Sequence, residues 1–184
     1  GEDVIALDID AGIYLWDTSG GISTASNVAS AITNAPTKSK FMIVSNPDRH
    51  LICFGTETTI GTTSTQDPMF IRWSDQDDFN SWTATATNSA GSQRVTGGSK
   101  IVTAVSTRGQ ILFLTDTSAH GMSFIGAPFT FGFQKLGTNC GAVSPHCAVD
   151  ISGIIYWMSS DGFYMFDGTV RKMPCTVEDF VFDN

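Results

Sequence analysis

Three aspartates stand close together between two tryptophans. Asp75, Asp77 and Asp78 lie in FIRWSDQDDFNSW, residues 70–82. Clustered loop carboxylates can hold Ca²⁺, but an EF-hand loop needs ligands at alternate positions, a glycine for its sharp turn and a distant bidentate glutamate. This stretch has neither the glycine nor the glutamate. We therefore expect the three carboxylates to accept backbone hydrogen bonds in a tight turn rather than to bind a metal.

A second pattern in the same stretch points to the same role. Asp77, Ser81 and Trp82 have the spacing of an aspartate-box turn, in which an Asp and a later Ser or Thr join a hairpin and a Trp packs into a propeller blade. The match is imperfect, because Phe79 occupies the position that is usually glycine. The sequence thus predicts one structural turn that contains Asp75, Asp77, Asp78, Ser81 and Trp82.

The other candidates for chemistry lack a complete motif. Cys140, His146 and Cys147 suggest zinc ligands, but the second ligand pair of zinc fingers and ribbons is missing. Ser123 lies in GMSFIG, which misses the G-x-S-x-G nucleophile elbow by one residue. There is no phosphate-binding loop or dinucleotide fingerprint, and nothing selects a pair of glycosidase carboxylates. We expect a protein that is not an enzyme and that carries no metal and no cofactor.

The spacing of the cysteines bears on the redox compartment of the chain, and the lengths of the apolar runs bear on whether it spans a membrane. Cys53, Cys140, Cys147 and Cys175 are widely spaced and lie mostly in apolar runs. Free thiols made in a reducing cytoplasm are therefore favoured over a disulfide scaffold. The longest apolar stretch, 151–158, is much shorter than the roughly 20 residues of a membrane-spanning helix. We expect no membrane-spanning segment.

The chain is acidic, with 10 Lys and Arg against 18 Asp and Glu and a net charge of −8. Tight binding to nucleic acid depends on Lys and Arg that displace counterions from phosphates, and the sequence has no basic cluster. Charged residues make up only 15% of the chain, and 18 Gly accompany many Thr and Ser. This mixture is typical of all-β proteins with many turns.

Strand patterns alternate with turn signals along the chain. Apolar strands that end in an acid and turn residues recur at 13–21, 70–78, 111–119 and 163–169, at intervals close to the size of a four-stranded propeller blade. We predict an all-β fold of partial β-propeller-like antiparallel blades with long polar loops. Because the chain opens without Met and closes on a strand-like aromatic run, 178–184, we expect a segment of a larger chain, incomplete at the C-terminus.

Two polar intervals interrupt the strand patterns. Residues 17–40 are small and polar, and within them 27–33 fits either a short helix or an ordered loop. Residues 83–98 form a long polar stretch with little to bury, as expected of a loop at the rim of a blade. We expect an N-terminal strand and polar linker region, 1–39, followed by a propeller-like β domain, 40–184.

The 13 Phe and 4 Trp are the remaining residues that indicate a role, either in the core or at an interface. The tryptophans fall within or beside strands, where core packing is their ordinary role. Residues 125–137, IGAPFTFGFQKLG, combine Gly and Pro with Phe129, Phe131 and Phe133. Such a segment is either a core strand or an apolar loop that docks a neighbouring subunit, and the three phenylalanines are candidate interface residues.

Several strings occur in an order that resembles one protein family. They are DRHLICFG, DPMFIRWSDQDDFNSW, TATNSAG, IGAPFTFGFQ, VSPHCAV, YWMSSDGFYMFDGTV and MPCTVEDFVF, from about residue 40 to the end. Together they resemble the tail nozzle or hub protein of short-tailed bacteriophages, a family also called tail tubular protein B or packaged-DNA stabilisation protein. Residues 1–39 match this family less distinctly.

The resemblance implies a structural virion component with propeller-like β domains. It would be assembled in the host bacterial cytoplasm as a homo-oligomeric ring of six, beside the tail tube or adaptor and the tail fibre proteins, around the channel through which the genome leaves. Double-stranded DNA would pass without tight binding, in keeping with the acidic composition. The alternative is a carbohydrate-binding or glycan-cleaving propeller domain at a phage tail tip, since tail tips also contact host glycans.

Overall fold

The structure is a computed structural model that describes residues 3–19, 28–46, 48–107, 109–176 and 178–182. Among these residues, strands account for 47% and helix for 4%, and the strands form four antiparallel sheets. This confirms the all-β class that composition and strand patterns predicted. Within the described ranges, no helix combines the length and the hydropathy needed to cross a membrane.

The strands fill four sheets in chain order. The first sheet holds β1 (Val4–Leu7), β2 (Ile13–Trp16) and β3 (Ser30–Ala31), and the second holds β4 (Phe41–Ser45), β5 (His50–Phe54), β6 (Phe70–Trp73) and β7 (Gly91–Arg94). The third holds β8 (Ile101–Ser106), β9 (Ile111–Thr115), β10 (Ser118–Gly126) and β11 (Thr130–Thr138), and the fourth holds β12 (Ala148–Ile151), β13 (Ile154–Ser159), β14 (Gly162–Phe166) and β15 (Val170–Lys172). A 3-10 turn (Thr63–Thr65) precedes β6, and a short helix α1 (Glu178–Phe182) follows β15.

Each sheet is a meander in which neighbours in sequence pair antiparallel. The strand order is β4-β5-β6-β7 in the second sheet, β11-β10-β9-β8 in the third and β12-β13-β14-β15 in the fourth. Four consecutive antiparallel strands joined in this way have the form of one propeller blade. The sheets are therefore blade-like, as the repeated pattern of a strand followed by an acid predicted.

The chain divides into two compact units, one up to Val95 and one from Thr96. The first unit contains the first and second sheets, and the second unit contains the third and fourth. The boundary expected at 39/40 falls between the first two sheets, inside the first unit.

Each unit has its own apolar core. In the first unit Ile13, Leu51 and Trp82 belong to one buried cluster, which joins the first sheet to the second. In the second unit a cluster that includes Leu112 and Trp157 joins the third sheet to the fourth. Burial alternates along β13 and β14, so these strands bury one face more deeply than the other, as expected of a pleated strand.

Three local expectations differ from the structure. The strand-like run 178–184 contains helix α1, and an apolar run this short does not distinguish strand from helix by periodicity. The polar stretch 83–98 contains strand β7, which pairs with β6 through backbone groups and therefore needs no apolar side chains. In 27–33 the described part contains the two-residue strand β3 rather than a helix, and residue 27 lies outside the described residues.

Candidate functional site

The acid cluster lies in one turn after strand β6, and Asp75 is its centre. Oδ1 of Asp75 accepts hydrogen bonds from the N–H of Ser89 (2.8 Å), the hydroxyl of Ser89 (2.6 Å) and the N–H of Gln76 (2.9 Å). Burial raises the pKa of Asp75, but these hydrogen bonds together lower it by more, so the pKa lies below its ordinary value. We call Asp75 and Ser89 the carboxylate clamp, because they join segments that are 14 residues apart.

An imidazole meets the hydroxyl of the clamp. Nε2 of His50 lies 3.0 Å from Oγ of Ser89, and since this hydroxyl donates its hydrogen to Asp75, the imidazole donates to the hydroxyl oxygen. Burial lowers the pKa of His50, and the carboxylates of Asp48 and Asp75 offset this only in part. In a serine hydrolase the imidazole stands between Ser and Asp and takes the hydroxyl proton. Here the hydroxyl stands between the other two groups, an order that suits a structural network.

Strand β7 is tied to the same turn by an indole. Nε1 of Trp73 donates to the carbonyl oxygen of Ser89 over 2.9 Å, and Gly91 pairs with Trp73 in the β6-β7 ladder. A Cβ atom at position 91 would lie 2.5 Å from Cζ2 of Trp73. Glycine at this position therefore lets the indole lie against the backbone of β7.

Asp77 has a different role from Asp75. Its backbone is left-handed, with φ 57°, and its N–H donates to the carbonyl oxygen of Arg49 over 3.1 Å. Its carboxylate forms an ion pair of 2.7 Å with Nη2 of Arg49, and at least half of each side chain is exposed. Water therefore screens the pair, which stabilises the fold little. The clamping role that the aspartate-box spacing assigned to Asp77 is performed by Asp75.

The remaining residues of the expected turn make local contacts. Oδ1 of Asp78 accepts the backbone N–H two residues later, at 2.9 Å, and the carbonyl oxygen of Ser81 accepts the N–H of Asp75, at 2.8 Å. Trp82 is fully buried and donates its Nε1–H to the carbonyl oxygen of Phe79 over 2.7 Å. The structure thus places all five residues in one turn, with unequal roles.

A similar arrangement recurs in the other sheets. After β9, Asp116 accepts the N–H and the hydroxyl of Ser99, at 2.8 and 2.5 Å. After β14, Asp167 accepts the same two groups of Thr169, at 3.4 and 3.2 Å. After β2, Asp17 accepts the N–H two residues later, at 2.8 Å. Each of the four sequence repeats therefore ends in an acid that accepts hydrogen bonds at a turn or loop.

A further carboxylate is buried inside the first unit. Oε1 of Glu57 accepts the N–H and the hydroxyl of Thr37 (2.8 and 2.9 Å) and the N–H of Gly61 (2.8 Å). The buried Arg72 donates from Nη2 to the carbonyl oxygen of Thr58 over 2.8 Å. Burial lowers the pKa of Arg72, and the charge of Glu57 raises it in part. The sequence did not mark Glu57, because its partners come from separate segments.

The three candidate interface phenylalanines differ in exposure. Phe129 is 72% exposed at the tip of the hairpin formed by β10 and β11. Phe131 is only 5% exposed and packs edge-on against Phe124, with ring centroids 5.8 Å apart. Phe133 is half-buried and packs edge-on against Phe113, at 6.3 Å. Phe131 therefore belongs to the packing of the hairpin itself, and Phe129 presents most of its surface to solvent.

The thiol, zinc and nucleophile candidates lie in separate surroundings. All four cysteines are free, and burial raises the pKa of Cys53 to about 12 and also raises that of Cys140. His146 is exposed, while Cys140 is buried in the core of the second unit. Ser123 lies within β10, opposite Gly132, rather than at a strand-to-helix turn. Over the part of the chain that the structure describes, no three His, Cys, Asp or Glu side chains are placed to share a metal ion.

No known family model matches this chain, and no curated protein matches it at a significant level.

Proposed function

We propose that the chain is a structural component of the tail of a short-tailed bacteriophage, in the nozzle or hub around the path of the genome. Two of the strings that resemble this family support the proposal by their positions. DPMFIRWSDQDDFNSW covers strand β6 and the carboxylate turn, and YWMSSDGFYMFDGTV covers most of β13, all of β14 and the start of β15. These strings therefore contain residues that hold blade-like sheets together, which suits a wall of a virion.

The observation that carries the proposal is that most of the described basic side chains are paired with acids or buried. Of the nine basic residues that the structure describes, five form ion pairs with aspartates, namely Lys40, Arg49, Arg94, Arg171 and Lys172. A sixth, Arg72, is buried. At a net charge of −8, few cations are left to displace counterions from DNA phosphates. A channel wall of this kind repels the phosphates and lets the duplex slide.

The proposed assembly is a homo-oligomeric ring, six copies in the resembling family, with the tail tube or adaptor and the tail fibre proteins as neighbours. The ring is built in the host bacterial cytoplasm and becomes part of the virion. The free thiols of the chain agree with synthesis in a reducing compartment.

The test is to purify the particles of the phage that encodes the chain and to locate the chain by antibody labelling and electron microscopy. We expect a ring at the distal end of the tail, with an axial channel. Particles that lack the chain, or a label elsewhere on the capsid, would contradict the proposal. Duplex DNA titrated into the purified chain at physiological salt should give no saturable binding. Selective binding on a glycan array, without a ring in the particle, would favour the carbohydrate-binding alternative.

A further inference from the structure

The second unit carries an exposed apolar hairpin tip. We use this name for residues 124–129, where β10 runs into the turn before β11. Within it Ile125 is 57% exposed and Phe129 is 72% exposed. The sequence from Gly121 to Gln134 contains no charged residue. An exposed patch of large apolar side chains is typical of an interaction site.

The same unit carries an apolar groove on the outer face of the fourth sheet. Its volume is about 380 Å³, and its lining includes Cys147, Val149, Tyr156, Met158, Phe163 and Cys175. Residues paired directly across antiparallel strands share a face, and Val149 pairs with Tyr156 while Met158 pairs with Phe163. None of the residues that line the groove is charged.

The opposite face of the fourth sheet is already occupied. Ile155, Trp157 and Phe166 are buried on that face, in the cluster shared with the third sheet. On the outer face, helix α1 contacts Phe163 through Phe182, with ring centroids 5.6 Å apart. Val149 nevertheless remains 52% exposed. The outer face is therefore only partly covered by the described residues of its own chain.

We propose that the hairpin tip of one copy of this chain docks into the outer-face groove of a second copy. The high exposure of Phe129 means that the tip does not fill the groove of its own copy. Copies with a net charge of −8 repel each other, so contact between them is favoured where both surfaces are uncharged, as tip and groove are. The volume of the groove lies within the range of about 300–1,000 Å³ that is usual for small-molecule pockets, which are lined mostly by apolar side chains.

The contact joins two different surfaces, so it is heterologous and runs head to tail. Such contacts generate a closed ring when the rotation between copies closes, and an open filament when it does not. The inference deepens the proposed function, on whose self-association it rests, by naming the surfaces through which neighbouring copies meet.

The native cysteines of the groove provide a direct test. In Phe129→Cys, mild oxidation should form a disulfide between copies, from the new thiol to Cys147 or Cys175, visible on a non-reducing gel and located by mass spectrometry of peptides. Val28→Cys is the matched control, because Val28 is 77% exposed and belongs to the first unit, whereas tip and groove belong to the second. It should give no link to either groove cysteine. Adding Cys147→Ser and Cys175→Ser to Phe129→Cys should abolish the link.

A second measurement follows self-association by analytical ultracentrifugation. Phe129→Asp and Val149→Asp should each weaken it by about tenfold or more, because each buries an unpaired carboxylate in the contact. Val28→Asp should leave it unchanged, and circular dichroism checks the fold of every variant. If Phe129→Asp unfolds the chain, the cross-link of Phe129→Cys decides the question alone.

The outcomes separate the inference from the proposed function. Copies that associate while Phe129→Cys links to neither groove cysteine would overturn the docking contact and leave the tail assignment standing. A chain that does not self-associate at any concentration also overturns the contact. Particles that lack the chain overturn the tail assignment, whatever the cross-link shows.

Discussion

Replacement of Asp75 by alanine tests the carboxylate clamp. The substitution removes the acceptor of three hydrogen bonds, two from Ser89 and one from Gln76. A hydrogen bond to a charged group contributes about 1.5–3 kcal/mol. Gln76 is exposed, so its N–H regains water, and the partial exposure of Asp75 and Ser89 reduces the other two contributions. We expect the free energy of unfolding to fall by about 2–4 kcal/mol.

Asp77→Ala is the matched control, because it removes the same charge from the same turn. Asp77 contributes an exposed ion pair with Arg49, and exposed pairs contribute about 0.2–1 kcal/mol. Alanine also adopts the left-handed backbone of this position less readily than aspartate does. We therefore expect a total fall in unfolding free energy of about 1–2 kcal/mol, below that of Asp75→Ala. The ratio between the two losses of unfolding free energy is a sharper test than either value, since each variant differs from the unaltered chain by one Asp→Ala replacement in the same turn.

The assay is urea unfolding followed by tryptophan fluorescence, because Trp73 and Trp82 adjoin the turn. Each variant is measured with added calcium and with chelator, and we expect the two curves to coincide. The clamp is refuted if Asp77→Ala destabilises the chain as much as Asp75→Ala does. A rise in stability with calcium that Asp75→Ala abolishes would show that the turn binds a metal.

The clamp also predicts how stability changes with pH. The pKa of Asp75 is lower in the folded chain than its ordinary value, so its carboxylate stabilises the fold above the unfolded pKa. This contribution is lost as the pH falls through the folded pKa. The difference in stability between the unaltered chain and Asp75→Ala should be constant near neutral pH and shrink below about pH 4. A difference that grows on acidification would contradict the sign of this shift.

Three further predictions concern other parts of the chain. Gly91→Ala places a methyl group against the indole of Trp73 and should lower the unfolding free energy by about 1–3 kcal/mol. Gly109→Ala is the control, because a Cβ atom there would have no neighbouring atom within 4 Å, and it should change the unfolding free energy little. Urea unfolding of both variants checks this. Glu57→Ala removes the buried acceptor of three hydrogen bonds from Thr37 and Gly61 and the charge beside the buried Arg72. Because Thr37 and Gly61 are exposed and regain water, the expected loss is about 2–4 kcal/mol in thermal unfolding. A loss below about 1 kcal/mol would contradict the role of Glu57. Titration of the denatured, non-reduced chain should find four thiols, and a count of two thiols or none would disprove the free cysteines. In the native chain at neutral pH, Cys53 and Cys140 are buried and have raised pKa values. They should therefore react with a thiol reagent more slowly than Cys147 and Cys175.

The all-β class and most strand positions could be predicted from the sequence because they depend on local patterns. Successive side chains of a strand point to opposite faces, so an alternation such as that of β13 is visible in the residues themselves. The turn role of the acids is also partly local. Asp78 and Asp17 accept backbone hydrogen bonds from residues only two positions away, which is within reach of a short side chain.

Which acid holds the second sheet together was decided only by the tertiary structure. Ser89 lies 14 residues from Asp75, and it reaches the carboxylate because β7 pairs with β6. The polar residues of β7 form that ladder through the backbone, and composition therefore does not indicate it. The aspartate-box spacing favoured Asp77, because that spacing describes only residues within the turn. It carries no information about β7, which returns beside the turn.

Strand pairing also decides which of the phenylalanines is exposed. Phe129 and Phe131 are two residues apart in one apolar run, yet one is exposed and the other is buried. Phe131 pairs with Phe124 across the hairpin, while Phe129 lies in the connection beyond the ladder. The sequence by itself determines which groups a residue can donate, accept or bury. Which distant partner those groups meet depends on strand register, and register is decided by the packing of whole sheets.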